Sequence, residues 1–184
     1  MKLVAKRFSE EDIADRVSWV NHESIYTNMY FDFPASVENT RNWYNSLASR
    51  QNRMDFSFYD LDKNICVGMA GVTDIDLKNG NAEFYVFINP ELQGKGIGKS
   101  ITQWTINYSF LQYSLNKVFL KTDTTNRIAI KVYERLGFQQ EGVQRKHTFK
   151  SGEYKDRVLF GLLRYEWSRL SWATKQINLE INVD

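Results

Sequence analysis

Asn89-Pro90-Glu91-Leu92-Gln93-Gly94-Lys95-Gly96-Ile97-Gly98-Lys99-Ser100 packs three of the chain's ten glycines into five residues. Residues 82–88, just before it, are rich in aromatic and β-branched side chains and read as a strand that Pro90 stops. After it, Ile97, Ile101, Trp104, Tyr108 and Leu111 alternate spacings of four and three, one apolar stripe of a helix running to about Tyr113. A glycine-rich turn from strand into helix N-terminus is a natural anion cradle. Glycines let the backbone curl and approach a phosphate, and the first helical N–H groups have no partner inside the helix. Lys95 and Lys99 add positive charge there.

Two familiar phosphate loops can be tested against these residues. Gly98-Lys99-Ser100 matches the end of a P-loop, but the glycine required five positions earlier is Gln93. The dinucleotide pattern G-x-G-x-x-G, started at Gly94, needs glycine where Lys99 stands. The spacing that fits is Gln/Arg-x-x-Gly-x-Gly/Ala, on Gln93, Gly96 and Gly98.

Working outward, residues 117–122 read as a strand. Residues 126–136 read as a helix with Ala129, Val132, Tyr133 and Leu136 on one face, closed by Gly137. Residues 138–149 and 154–163 read as strands joined through Ser151-Gly152. Toward the N-terminus, 3–8 is a strand and Ser9 with Asp12 resembles a capping box. Ile13, Val17 and Val20 recur at helical spacing, residues 28–35 are irregular and aromatic, and Ser36 caps a second helix. Residues 55–61 and 65–73 complete three consecutive strands with 82–88. The order is βαα–βββ–α–β–α–ββ, a mixed α/β or α+β layered domain.

The second half of the glycine signature follows after the intervening strand: Asn126-x-x-Ala129-x-x-x-Tyr133-x-x-x-Gly137-Phe138. Together the two segments resemble the GNAT superfamily of N-acetyltransferases, over essentially the whole chain and most specifically over 82–163. The segments 82–96 and 150–154 resemble bacterial spermidine acetyltransferases. Trp19-Val20-Asn21-His22 and Phe33-Pro34 resemble amino-sugar and ribosomal-protein acetyltransferases. The resemblance implies one domain over 1–164, with a mixed, mostly antiparallel central sheet flanked by helices. Residues 165–184, with Trp167, Leu170 and Trp172, are read as a docking tail or subunit contact, and a homodimer is one expected assembly.

The implied chemistry is direct acetyl transfer from acetyl-CoA to a primary amine of a small molecule, a polyamine or an amino sugar. The alternatives are acetylation of protein N-termini and a non-catalytic acyl-CoA sensor. Gln93, Gly94, Lys95, Gly96, Ile97, Gly98, Lys99 and Ser100 would hold the pyrophosphate. Backbone groups around Phe87 and Ile88 would align the thioester, and Asn126 would contact the pantetheine arm, although capping alone explains it. Tyr133 would protonate the leaving thiolate, since a phenol of pKa ~10 can donate in a dry site. It is equally placed to be a core tyrosine. Glu83 is the candidate general base, or else an exposed strand carboxylate. His22, His147, Tyr26, Tyr30, Phe31 and Phe33 are weaker acceptor-site candidates.

Composition supports a single folded domain. The chain has 184 residues, 42% of them apolar and 15% aromatic, enough for one sizeable core. The net charge of +2 lacks the basic excess of a dedicated nucleic-acid binder. One cysteine forms no intrachain disulfide, and with two histidines it makes no common structural zinc site. No stretch reads as a membrane span or secretory leader, so a cytoplasmic location is expected. The charge is uneven: residues 1–90 carry −4 and 91–184 carry +6. On that basis CoA's phosphates would meet the basic half and a cationic amine the acidic half.

Overall fold

A computed structural model describes residues 1–183. Eight strands form one sheet: β1 (Lys2–Arg7), β2 (Met54–Asp60), β3 (Ile65–Asp76), β4 (Asn81–Ile88), β5 (Lys117–Asp123), β6 (Gln139–Lys150), β7 (Glu153–Leu163) and β8 (Glu180–Asn182). Their spatial order is β6-β7-β5-β4-β3-β2-β1-β8. Every neighbouring pair is antiparallel except β4 and β5, which run parallel. The helices are α1 (Ile13–Val20), α2 (Glu23–Tyr26), α3 (Val37–Leu47), α4 (Ile97–Gln112), α5 (Arg127–Arg135) and α6 (Arg164–Trp167).

Side chains alternate across the strands, so the sheet has two packed faces. Ala82 and Phe84 of β4, Val118 and Leu120 of β5, and Val158 and Phe160 of β7 share one core with Ile97, Ile101, Trp104 and Phe110 of α4. Tyr133 and Leu136 pack on that same side. Phe87 and Met69 face the other way and share a second core with Ile13, Trp19 and Val20 of α1 and with Trp43 and Tyr44 of α3. Burying one such large apolar side chain contributes about 1.5–3 kcal/mol.

Local signals account for most boundaries. Ser9 N–H donates to Asp12 Oδ2 at 2.7 Å, which starts a 3₁₀ turn at Glu10–Asp12 leading into α1. Ser36 Oγ accepts from Asn39 N–H at 3.1 Å and starts α3. Ser151 (φ 51°) and Gly152 (φ 82°) make the two-residue hairpin turn between β6 and β7, with the positive φ pair that such turns require.

Three elements go beyond the sequence reading. The short α2 is capped by His22, whose Nδ1 accepts from Ser24 N–H at 3.3 Å. The weakly patterned residues 164–183 lie across α4. α6 places Trp167 where its Nε1 donates to Asn107 Oδ1 at 2.7 Å. Trp104 Nε1 donates to Asn178 O at 2.6 Å, and β8 then pairs with β1. α4 is therefore covered on both sides. Three of its buried hydroxyls are satisfied by their own helix: Thr102 donates to Gly98 O, Thr105 to Ile101 O and Ser109 to Thr105 O.

The parallel pair carries the feature that positions the site. β4 pairs with β3 as far as Ile88, and β5 with β7 as far as Asp123. β4 and β5 pair with each other only over Asn81–Glu83 and Lys117–Phe119. Beyond Glu83 and Phe119 the two strands diverge and open a gap in the sheet.

Candidate active site

Backbone polar groups in the gap follow from the register. Asn89 N–H bonds Val67 O at 3.0 Å, one step beyond the Ile88–Gly68 pair. Odd positions of β4 therefore direct N–H and C=O at β3, whereas Val86 and Ile88 direct theirs into the gap. This refines the sequence reading of Phe87 and Ile88. Ile88 faces the gap, but the Phe87 backbone is committed to Met69 and its side chain is 3% exposed in the second core.

Both helices that flank the gap begin at its open end, because each follows directly on the C-terminus of a parallel strand. After β4, Asn89 Oδ1 accepts from Glu91 N–H and a 3₁₀ turn covers Pro90–Leu92. Gly94 and Gly96 both adopt φ +79°, a left-handed conformation that glycine tolerates and β-branched residues do not. Gly96 is the N-cap of α4 and has no side chain to satisfy the helix. Among the described residues, the N–H groups of Gly94, Lys95, Gly96, Ile97 and Gly98 have no protein acceptor. No acid stands in the first turn of α4, so the helix dipole and Lys95 and Lys99 are unopposed there. Ile97 and Ser100 are buried beneath this loop. Gln93 Nε2 donates to Ser24 Oγ at 3.1 Å and to Ile88 O at 3.5 Å. The side chain thus ties the loop to α2 and to the edge of the gap.

After β5, Asn126 Oδ1 accepts from Ala129 N–H at 3.1 Å and caps α5, leaving its amide nitrogen without a protein acceptor among the described residues. About two turns on, Tyr133 packs against Phe138 and Phe160, with ring centroids 5.8 and 6.2 Å away. Among the described residues its hydroxyl has no hydrogen-bond partner. Burial pushes the phenol up to about 12, while the positive charge of Arg157 acts in the opposite sense.

Glu83 lies at the vertex where the strands part, on the opposite face of the sheet from Tyr133. Its Oε2 accepts from Lys121 Nζ at 3.1 Å, an ion pair about a quarter exposed. Oε1 has no protein donor among the described residues.

Distant segments converge on the far end of β5. Tyr30 Oη donates to Asp123 Oδ1 at 2.7 Å. Arg157 Nε lies 3.2 Å from the same oxygen, and its Nη2 donates to Lys121 O at 2.6 Å. The Arg157 guanidinium lies 4.3 Å and Lys150 Nζ 4.6 Å from the centre of the Tyr30 ring. Lys150 also donates to the carbonyls of Tyr26 and Met29. These contacts fasten residues 26–30 to the end of β5 and to the β6–β7 hairpin. Asp123 and Arg157 were missed by the sequence reading. The available signal for Asp123 was its place at the C-terminal end of a parallel strand, where ligands commonly bind. On the other side of residues 30–36, an open cleft of about 260 Å³ runs between α1 and α3.

Residues 2–139 match the family described as Acetyltransferase (GNAT) domain. The chain belongs to the GNAT acetyltransferase family. The fold is the mixed α/β GNAT fold, and the protein is an acetyl-CoA-dependent N-acetyltransferase. The SPbeta prophage-derived uncharacterized N-acetyltransferase YokL of Bacillus subtilis is 33% identical over 146 residues, 79% of this chain and 81% of that protein. The spermidine N(1)-acetyltransferase of Vibrio cholerae is 29% identical over 138 residues, 74% of this chain and 79% of that protein. The crystal structure of spermidine N-acetyltransferase from Vibrio cholerae in complex with CoA and spermine is similar with a TM-score of 0.84. That match is 25% identical and covers 89% of this chain and 96% of that one.

In this GNAT acetyltransferase, acetyl-CoA fits the chemistry of the gap: unpaired N–H groups at a helix N-terminus for phosphate, and an unpaired strand edge for an extended, amide-bearing arm. The remaining sequence candidates make these contacts. His22 caps α2, and His147 is exposed on β6. Tyr26 stacks on Phe33 at 4.5 Å, and Phe31 packs edge-on to Phe87 at 5.5 Å. Among the described residues no group of histidine, cysteine and acidic side chains is arranged to hold a metal, and no helix is long and apolar enough to cross a membrane.

Proposed function

We propose that this acetyltransferase modifies the primary amine of a small molecule, a polyamine or an amino sugar, by direct attack of the amine on the thioester. The observation that carries the reading is the divergence of β4 and β5 beyond Glu83 and Phe119, with the glycine loop after one strand and the helix that bears Tyr133 after the other. Acetyl-CoA supplies an activated acetyl group. The protein supplies position, water exclusion and two proton transfers.

The N–H groups of residues 94–98 bind the pyrophosphate, helped by Lys95 and Lys99. The backbones of Val86 and Ile88 align the acyl arm by strand-like hydrogen bonds. Asn126 Nδ2 is free to bond that arm while Oδ1 caps α5. Tyr133, having no competing acceptor, donates its phenolic proton to the leaving sulfur. Glu83 accepts the amine's proton through Oε1, directly or by way of a water. Cys66 does not compete as an acyl carrier: it is 3% exposed, and burial pushes its thiol up to about 12.

The test is release of CoA thiol from acetyl-CoA with a panel of spermidine, putrescine, glucosamine and N-terminal peptides. One small-molecule class should turn over at least about tenfold faster than the peptides, and no turnover with any amine would overturn the reading. In the same assay Glu83→Gln should lower the rate at pH 7 by about 10²-fold. The deficit should shrink as pH approaches the amine's own pKa, because the free amine then needs no base. A pH-independent deficit would remove Glu83 from the proton path.

A further inference from the structure

The floor of the cleft between α1 and α3 holds an unusual charge. Arg16 lines the cleft and is only 9% exposed. Its guanidinium lies over three aromatic rings, 4.4 Å from Trp43, 4.7 Å from Phe31 and 5.5 Å from Phe87. Among the described residues none accepts a hydrogen bond from Arg16, and its Nη1 is buried without a partner. A guanidinium has five donors in a fixed fork, and burying them unpaired is costly.

The neighbours do not supply the missing acceptor. Arg53 also lines the cleft and stacks 5.0 Å from Trp43, but it spends its Nε and Nη2 on Asp55, at 2.9 and 2.7 Å. Tyr85 Oη also donates to Asp55. Asp55 is thus taken up by Arg53 and Tyr85, and the Arg16 charge is left without a carboxylate partner among the described residues. The other charged group of the lining, Asp32, is exposed on the rim and makes no ion pair among the described residues. The aromatic walls hold Arg16 in place, and the open side of the cleft is where an oxyanion would complete it.

The cleft also points at the chemistry. Phe87, beneath the Arg16 guanidinium, immediately precedes Ile88 at the gap. Tyr30, at the other end of the lining, bonds Asp123 at the end of β5. An acceptor anchored on Arg16 by one end would thus lie along the acceptor face of the gap.

We infer that Arg16 forms an oxyanion subsite for the acceptor, so that the preferred substrate carries a carboxylate or phosphate besides its primary amine. This inference rests on the proposed function and narrows it. Among the amines considered there, it favours a phosphorylated amino sugar or an amino acid derivative over a polyamine.

Matched amines that differ only in the anionic group test it. Glucosamine 6-phosphate against glucosamine probes phosphate, 4-aminobutyrate against 4-aminobutyramide probes carboxylate, and spermidine is the cationic comparison. The anionic member of at least one pair should have a kcat/KM about 10–100-fold higher, the value of one charge-assisted hydrogen bond to a desolvated guanidinium. Arg16→Gln should bring that ratio to about one without changing acetyl-CoA affinity. Arg16→Lys, which keeps the charge and less of the fork, should fall between and guards against misfolding of the glutamine variant. Ratios at or below one in both pairs, or a ratio that survives Arg16→Gln, would overturn the inference. A second arm does not depend on turnover. Inorganic phosphate, titrated calorimetrically into protein saturated with CoA so that the glycine loop is filled, should bind the wild type and not Arg16→Gln. If no amine is acetylated but phosphate binding depends on Arg16, the acetyl-transfer reading fails and the subsite stands. If phosphate does not bind, the subsite falls.

Discussion

Gly96→Val should lower acetyl-CoA affinity by about 10²–10⁴-fold while leaving the protein folded. Gly96 caps α4 at φ +79°, where valine, branched at Cβ, is a genuine outlier. Holding an L-residue there costs roughly 1–2 kcal/mol, so the loop is expected to relax to negative φ. The N–H groups of residues 94–98 would then no longer converge. Losing two charge-assisted hydrogen bonds at about 1.5–3 kcal/mol each gives the stated range. Calorimetric titration of CoA measures the affinity, and near-ultraviolet circular dichroism checks the fold. Gly98→Ala is the control: a Cβ there meets Ile88 Cγ1 at an ordinary 3.5 Å, so that variant should melt at the wild-type temperature. Unchanged CoA affinity in Gly96→Val would remove the loop from the cofactor site.

Tyr133→Phe should lower kcat by about 10²-fold, the low end for a general acid because a thiolate is already a tolerable leaving group. The change removes one hydroxyl that has no partner among the described residues and keeps the ring against Phe138 and Phe160. Stability and CoA affinity should therefore stay close to wild type, within about 0.5 kcal/mol. Burial raises the phenol to about 12, so the proton-donating form persists through neutral pH and beyond pH 10. The wild-type kcat profile should accordingly show no alkaline limb from this group below about pH 10. Steady-state kinetics from pH 6 to 10 check both points. An unchanged kcat in Tyr133→Phe would assign protonation of the sulfur to water.

The parts of the candidate site that were legible beforehand are contiguous in the chain. Gln93–Ser100 can be read because backbone N–H groups at a glycine turn need no distant partner. Asn126 and Tyr133 can be read because they share one helix at fixed spacing, and the Asn126 cap is local chemistry. Glu83 was visible as an acid in a strand, but its ion pair with Lys121, 38 residues on, was not. Which of Val86, Phe87 and Ile88 turns its backbone to the gap was also hidden, since it depends on how β4 pairs with β3.

Charge shows the same division more sharply. The acidic balance of residues 1–90 suggests a cationic acceptor, yet the cleft between α1 and α3 is lined by Arg16 and Arg53 from that very half. Net charge along the chain says nothing about which side chains are folded into a cleft and which remain in water. Tyr30 and Asp123, 93 residues apart, carry no pattern that links them.

The sequence by itself determined the glycine loop, the helix that follows it, the capped helix bearing Tyr133 and the order of most strands. Each of these depends on local backbone geometry or on side-chain periodicity within a few turns. Only the tertiary structure decided that β4 and β5 part after Glu83, that Arg16 is buried with a donor to spare among the described residues, and that residues 164–183 come back across α4. Asn107 lies outside the apolar stripe of α4 in the helical pattern. It is buried because Trp167 and Trp172 come back across it: Trp167 Nε1 donates to its Oδ1 and its Nδ2 donates to Trp172 O, a contact between segments some 60 residues apart that no local periodicity encodes.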